Sequence, residues 1–303
     1  MKTLFVFFML SLLISCGSNQ RSQENKPREK PVVSPVNYPL HYFAQRIGGE
    51  GIQLEYPVPA DVDPAYWIPA DEALSVYQSA DIILANGAGY AGWMNNVSLP
   101  ASRIINTSLS LEEKYIRLRE ASSHSHGPEG EHEHTGYAFT TWLNFQMAMA
   151  QAEAIKEILV KTLPESKEAL EAKHSGLHRE LVSLHESMTE VSGLSQGENI
   201  IGSHPVYQYL SEAYGLQVHS VHFEPDEMPS EDQWIEFDQL LEQLAASLMI
   251  WEDEPMPEVK EILVQKGVQV IVFNPHGNRP ESGDFIEMMH ENIQALRSGL
   301  ANQ

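Results

Sequence analysis

Thirteen histidines and forty-two carboxylate side chains stand in 303 residues, and where the histidines fall suggests metal chemistry. The densest group is the run SSHSHGPEGEHEHT from Ser122 to Thr135, with His124, His126, His132 and His134 beside Glu129, Glu131 and Glu133. Neutral imidazoles mixed with carboxylates suit zinc, nickel or copper, because nitrogen donors match borderline divalent ions. The Gly, Pro and Ser content of this run predicts a loop, and ligands that must be ordered on binding hold an ion weakly. A second group, His174, His178 and His185, includes an i, i+4 pair able to share a metal. Those three flank an apolar stripe, where an amphipathic helix ordinarily carries solvent-edge histidines. A third set, His41, His204, His222 and His276, is scattered, but each residue follows a segment that reads as a strand.

The segments that would position these groups alternate between strand and helix. Val32–Val36, Ile52–Tyr56, Asp81–Ala85 and Arg103–Ile105 read as strands, with helical stretches around Leu40–Ile47, Asp71–Gln78 and Tyr90–Asn95 between them. A second run has strands at Asn199–Gly202, Gln217–Val221, Leu248–Trp251 and Val268–Phe273. Its helices lie near Val206–Tyr214, Glu231–Ala246, Pro257–Lys266 and Asp284–Arg297. This is βαβ patterning, so the expected fold class is α/β, two lobes each built on a parallel sheet of about four strands. Ligands of such sheets bind at the carboxyl ends of the strands, where His41, His204, His222 and His276 would face one cleft, with Glu224 or Asp226 supplying charge. Between the lobes, Trp142 to Val191 is helix-rich and interrupted at Pro164. Leu170, Leu177, Leu181, Leu184, Met188 and Val191 follow at spacings of 7, 4, 3, 4 and 3, one face of a helix.

The net charge of −23 excludes a nucleic-acid partner, since an acidic surface repels phosphate and releases no counterions. Lys2 followed by the apolar run Leu4–Ile14 and small residues reads as a secretory signal, too short to span a bilayer. The run ends on Cys16, the one cysteine, which leaves no thiolate partner for disulfides or zinc. Leu13-Ile14-Ser15-Cys16 is similar to the lipobox of bacterial lipoproteins, in which the cysteine is lipidated, so the mature chain is expected to be exported and anchored by its lipid, facing the periplasm or cell surface. Gly17 to Pro31 is too polar to fold and serves as a tether. The expected organisation is 1–16 signal peptide, 17–31 tether, 32–162 first lobe with the histidine-rich loop 122–135, 163–193 linker helix, and 194–303 second lobe. No nucleophile elbow, phosphate loop or metalloprotease helix motif is present, and Gly87-Ala88-Gly89 lacks the third glycine of a dinucleotide fingerprint, so an enzyme is not expected.

Several local runs carry a family resemblance: Tyr38-Pro39-Leu40 with Arg46-Ile47-Gly48-Gly49, Ala80-Asp81 leading to Asn86-Gly87-Ala88-Gly89, Trp142-Leu143, Ser203-His204 leading to Tyr214-Gly215-Leu216, and Gly283-Asp284-Phe285 to Asn292. From about Val32 onward the chain resembles the zinc- and manganese-binding solute receptors of bacterial ABC importers. The resemblance implies a ligand cleft between the lobes, a rigid backbone helix joining them, a histidine-rich loop at the position found here, Zn²⁺ as the substrate, an ABC permease as partner, and a monomeric receptor. It also implies three histidines and one acidic residue around the ion, and here those positions read Ala65, Thr140, His204 and Asn274. One imidazole and two neutral oxygens would leave a buried divalent charge uncompensated, so these four positions alone do not make a zinc site. Either the cleft is rebuilt around His204 with His41, His222 or His276, or Tyr66 and Trp67 have converted it to an organic solute or a partner role.

Overall fold

The computed structural model describes residues 30–118, 123–125, 131–133 and 136–301. Cys16, the tether before Lys30, His126 and His134 lie outside the described residues. The first sheet orders β2 (Gln53–Leu54), β1 (Val32–Pro35), β3 (Ile82–Ala85) and β4 (Ile104–Asn106). The second sheet orders β10 (Gln269–Val272), β9 (Leu248–Trp251), β7 (Asn199–Gly202) and β8 (Gln217–Ser220). Every pairing in both sheets is parallel. The expected α/β class with two four-stranded lobes is therefore what the protein adopts.

Helices α1 (Tyr38–Gly48), α2 (Asp71–Ser79), α5 (Gln208–Tyr214), α6 (Glu231–Leu244), α7 (Pro257–Gln265) and α8 (Phe285–Ala301) supply crossovers and cover the sheets. Asn37 starts α1 by accepting from the Leu40 amide, with Pro39 in the first turn where a missing N–H costs nothing. Ser230 and Gln233 form a capping box on α6. The helix-rich middle is two helices, α3 (Phe145–Thr162) and α4 (Lys167–Ser192), with a 3-10 turn at Pro164–Ser166 between them. All six residues of the apolar stripe on α4, Leu170 to Val191, are buried. They belong to one core that also takes in Leu40, Phe43 and Ile83 from the first lobe and Leu248, Phe273 and Leu296 from the second. The joining helix is thus part of the core of both lobes.

Two local expectations differ from the structure. Tyr90–Asn95 is a 3-10 turn at Gly92–Asn95 rather than an α-helix, entered through Ala88 and Ala91 in left-handed conformations; the three glycines of the NGAGYAG run disfavour a continuous helix. Inside the histidine-rich segment, β5 (Ser123–Ser125) pairs antiparallel with β6 (Glu131–Glu133), setting His124 opposite His132. The strict alternation of His with Ser and Glu is compatible with a short ladder, which the loop reading from composition did not foresee. Among the described residues, no helix is long and apolar enough to cross a membrane.

Candidate metal centre

His204 follows β7 directly, and Ser203 before it ties three strand ends together. The Ser203 amide donates to Ile250 O at 2.9 Å, its carbonyl accepts from the Phe223 amide at 2.8 Å, and its Oγ accepts from the Glu252 amide at 3.2 Å. One serine therefore fixes the segments after β7, β8 and β9 against each other. From the other side, Gln233 of the α6 capping box donates to His222 O, holding the β8–α6 connection.

The consequence is a compact donor group at the carboxyl ends of the second sheet. His204 Nδ1 lies 3.6 Å from Glu224 Oε1 and 3.4 Å from Glu252 Oε1, and the three side chains bring ligand atoms within 4.8 Å of one another. Ligand atoms bound to one zinc ion at about 2.0–2.2 Å in tetrahedral array stand roughly 3.3–3.6 Å apart. His204 is 3% exposed, and the two carboxylates are about three-quarters covered. Burial pushes the Glu252 carboxyl well above the ordinary carboxylate range, helped by the charges of Asp63, Glu224 and Asp253. Two largely buried carboxylates facing an imidazole, with no lysine or arginine in the group, form a place where a divalent cation would relieve repulsion.

The group opens into a cleft of about 750 Å³ between the lobes. The first lobe contributes Asp63, Tyr66, Tyr90 and Phe139 to its lining. Asp63 closes the turn that carries Ala65, accepting the Ala65 amide at 2.8 Å. The Tyr66 phenol is held above its usual range by burial first and then by the charges of Asp63, Glu252 and Glu224. Tyr66 and Tyr90 both pack edge-on against Phe139, and Trp142 donates its indole N–H to Pro275 O at 2.7 Å, so the aromatic wall is braced from both lobes.

The positions that resemblance marks as ligand sites are occupied otherwise. Ala65 packs on the core. Thr140 is buried and donates its hydroxyl to Val206 O at 2.5 Å. Asn274 receives the His276 amide on Oδ1 at 2.7 Å and gives its own amide to Asn292. Of the other histidines read from the sequence, His222 meets His204 edge-on at 5.4 Å between ring centroids. His276 lines the cleft in a left-handed conformation, its pKa lowered to about 4 by burial. His41 is away from the cleft lining, between Tyr38 and Tyr56, its pKa lowered to about 4 by burial and then by Arg279. Of the loop, His124 and His132 are described only through their backbone pairing. The group of His204, Glu224 and Glu252 thus includes one residue, Glu252, that sequence reasoning did not single out. Its signal was available: Glu252-Asp253 follows the apolar strand Leu248–Trp251 as Ser203-His204 follows β7.

Residues 33–299 match the family model described as ZnuA, zinc-uptake complex component A, periplasmic. Among curated proteins, the chain is 24% identical over 305 residues to the zinc-binding lipoprotein AdcA of Streptococcus pneumoniae R6, covering 94% of this chain and 58% of that protein. It is also 24% identical over 317 residues to the high-affinity zinc uptake system protein ZnuA of Bacillus subtilis, covering 98% of this chain and 97% of that one. The chain therefore spans little more than half the length of AdcA but nearly the whole of the Bacillus protein. Among solved structures, the metal-dependent lipoprotein YcdH from Bacillus subtilis superposes with a TM-score of 0.75 at 19% identity, over 89% of this chain and 99% of that chain. With the two parallel sheets, the shared core helix and the donor group at the strand ends, the match over nearly all of the described chain shows that this protein belongs to the ZnuA family of periplasmic zinc-uptake components.

Proposed function

We propose that this chain captures a divalent transition metal, zinc first, in the cleft through His204, Glu224 and Glu252, and hands it to an ABC permease. The observation that carries this reading is the convergence of one imidazole and two carboxylates within 4.8 Å at the carboxyl ends of the second sheet. The zinc-uptake family and relatives named as zinc-binding support it. Asp63 faces the group from the first lobe and supplies the charge that would draw the lobes together on the ion. An organic solute or a protein partner in place of the ion is not favoured, because the cleft floor is anionic.

The lipobox-like Leu13-Ile14-Ser15-Cys16 supports export and lipid anchoring, and the histidine-rich segment 122–135 serves as a weak metal collector. The receptor acts as a monomer and carries out no catalysis of its own.

Calorimetric titration of the mature protein with Zn²⁺ tests the assignment. Wild type is expected to bind one ion tightly at the cleft. His204→Ala and Glu252→Gln each abolish that binding, and Ser replacement of His124, His126, His132 and His134 leaves it in place. Tight binding that survives His204→Ala and disappears with the loop histidines would overturn the cleft as the site.

A further inference from the structure

The outer side of the α3–α4 hairpin carries a second constellation that the cleft does not use. His174 and His178 stand one turn apart on α4, their ring centroids 5.8 Å apart and their planes inclined by 38°. An i, i+4 histidine pair on one helix face can share an ion, and with centroids 5.8 Å apart these two rings come within reach of one by side-chain rotation, their nitrogens and the Glu153 oxygen not standing already as one close donor group. From α3, Glu153 brings Oε2 to 3.3 Å from His174 Nε2, while its Oε1 is engaged by Lys156 at 2.5 Å.

His174 is the informative member. Its side chain is only 12% exposed, and its Nε2 is buried with no hydrogen-bond partner, although the Glu153 oxygen is near. A buried ring nitrogen without a hydrogen bond is costly unless something completes it. These three residues line a groove of about 500 Å³ together with Met149, Ser175 and Arg179, and none of them lines the cleft.

We propose that Glu153, His174 and His178 form a second site for a borderline divalent ion of the zinc type, which clips α3 to α4. Two imidazoles and one carboxylate make a three-ligand set that leaves a position for water. Lys156 and Arg179 nearby make it weaker than a closed structural site and suit it to filling when the metal is plentiful. Because α4 is in the core of both lobes, an ion here stiffens the element that joins them.

The test uses the full mature chain with His124, His126, His132 and His134 replaced by Ser, so that the loop contributes no ligands. Zinc titration of this protein is expected to reveal the groove ion, and excess zinc to raise its Tm, since an ion bound only to the native state stabilises it. His178→Ala, at an exposed position that does not threaten folding, is expected to weaken the groove ion at least about tenfold, given that loss of mere supporting partners already costs about 10–100-fold. Glu153→Gln, which keeps the side-chain shape, is expected to weaken it in the same direction, and neither change alters the ion lost on His204→Ala. The proposal is overturned if no ion responds to either substitution, or if the zinc-dependent rise in Tm is the same in His178→Ala. Because the cleft reports through His204 and the groove through His178, failure of one assignment is distinguishable from failure of the other.

Discussion

Ser203 governs the candidate centre more than its own chemistry suggests. Its hydroxyl accepts the Glu252 amide and its backbone meets Ile250 and Phe223, so it sets where His204, Glu224 and Glu252 stand relative to one another. Ser203→Ala removes only the side-chain acceptor. It is expected to weaken zinc binding by about 10–100-fold, as loss of other supporting partners of ligands does, with thermal stability lowered far less than the loss of affinity would suggest; Ser203→Thr, which restores a hydroxyl, should recover most of the affinity. An affinity unchanged in Ser203→Ala would show that the strand ends need no such tie. The donor types carry a second expectation. One imidazole with two carboxylates is a harder set than three imidazoles with one, so discrimination of Zn²⁺ over Mn²⁺ should be narrow here. Glu224→His should widen the ratio of the two dissociation constants, measured by competition, in favour of zinc. A ratio unmoved by that change would mean Glu224 does not touch the ion. At this scale the sequence was only half readable. At the positions the resemblance marks, it left His204 as the one strong donor beside Ala65 and the neutral oxygens of Thr140 and Asn274, because that is a matter of residue type. It did not reveal that Glu252 joins His204, because that depends on which strands are neighbours: β7 lies between β8 and β9, and only this order brings Glu224 and Glu252 to either side of His204.

Among the elements, the connection after β10 acts as the latch between lobes. Asn278 donates through Nδ2 to Pro59 O at 2.6 Å and Val62 O at 2.8 Å, and its Oδ1 accepts the Tyr56 hydroxyl at 3.2 Å. Arg279 stacks over the Tyr56 ring at 4.7 Å. These contacts hold the 57–69 segment, which carries Asp63 and Tyr66, over the donor group. Asn278→Ala should therefore raise the zinc dissociation constant and speed metal release while leaving the second lobe intact. Release kinetics with a chromophoric chelator would check this, and an unchanged off-rate would remove the latch from the account. The elements themselves were mostly visible in advance because they rest on periodicity: the α4 stripe and the apolar strands declare their buried faces residue by residue. What periodicity could not show was chain reversal with unusual backbone. The left-handed Ala88 and Ala91 and the short β5–β6 ladder depend on local geometry that composition alone does not encode.

For the whole molecule, the shared core makes acid stability a property of histidine burial. His41, on α1, sits between the Tyr38 and Tyr56 rings with Nδ1 buried and no hydrogen-bond partner, and its pKa in the folded protein is lowered to about 4 from an ordinary 6.5. Between those two values the unfolded chain binds a proton at this position and the folded chain does not, so stability rises with pH across that window and is lost as pH falls from about 6.5 to about 4. His276, lowered to about 4 by burial, acts in the same sense, whereas Glu252, with its carboxyl raised, acts in the opposite one. The net slope therefore mixes several groups, and the difference between variants isolates one. His41→Phe keeps a ring between the two tyrosines and removes the titration. Its unfolding free energy should fall less steeply than that of wild type between pH 6.5 and 4, by at most about 1.4 kcal/mol per pH unit, the limit for one proton. Because the largest core joins α4 to both lobes, both proteins should still unfold in one transition. A slope identical in the two proteins would mean that His41 is protonated in the fold, and a transition split into two would mean that the lobes unfold as separate units.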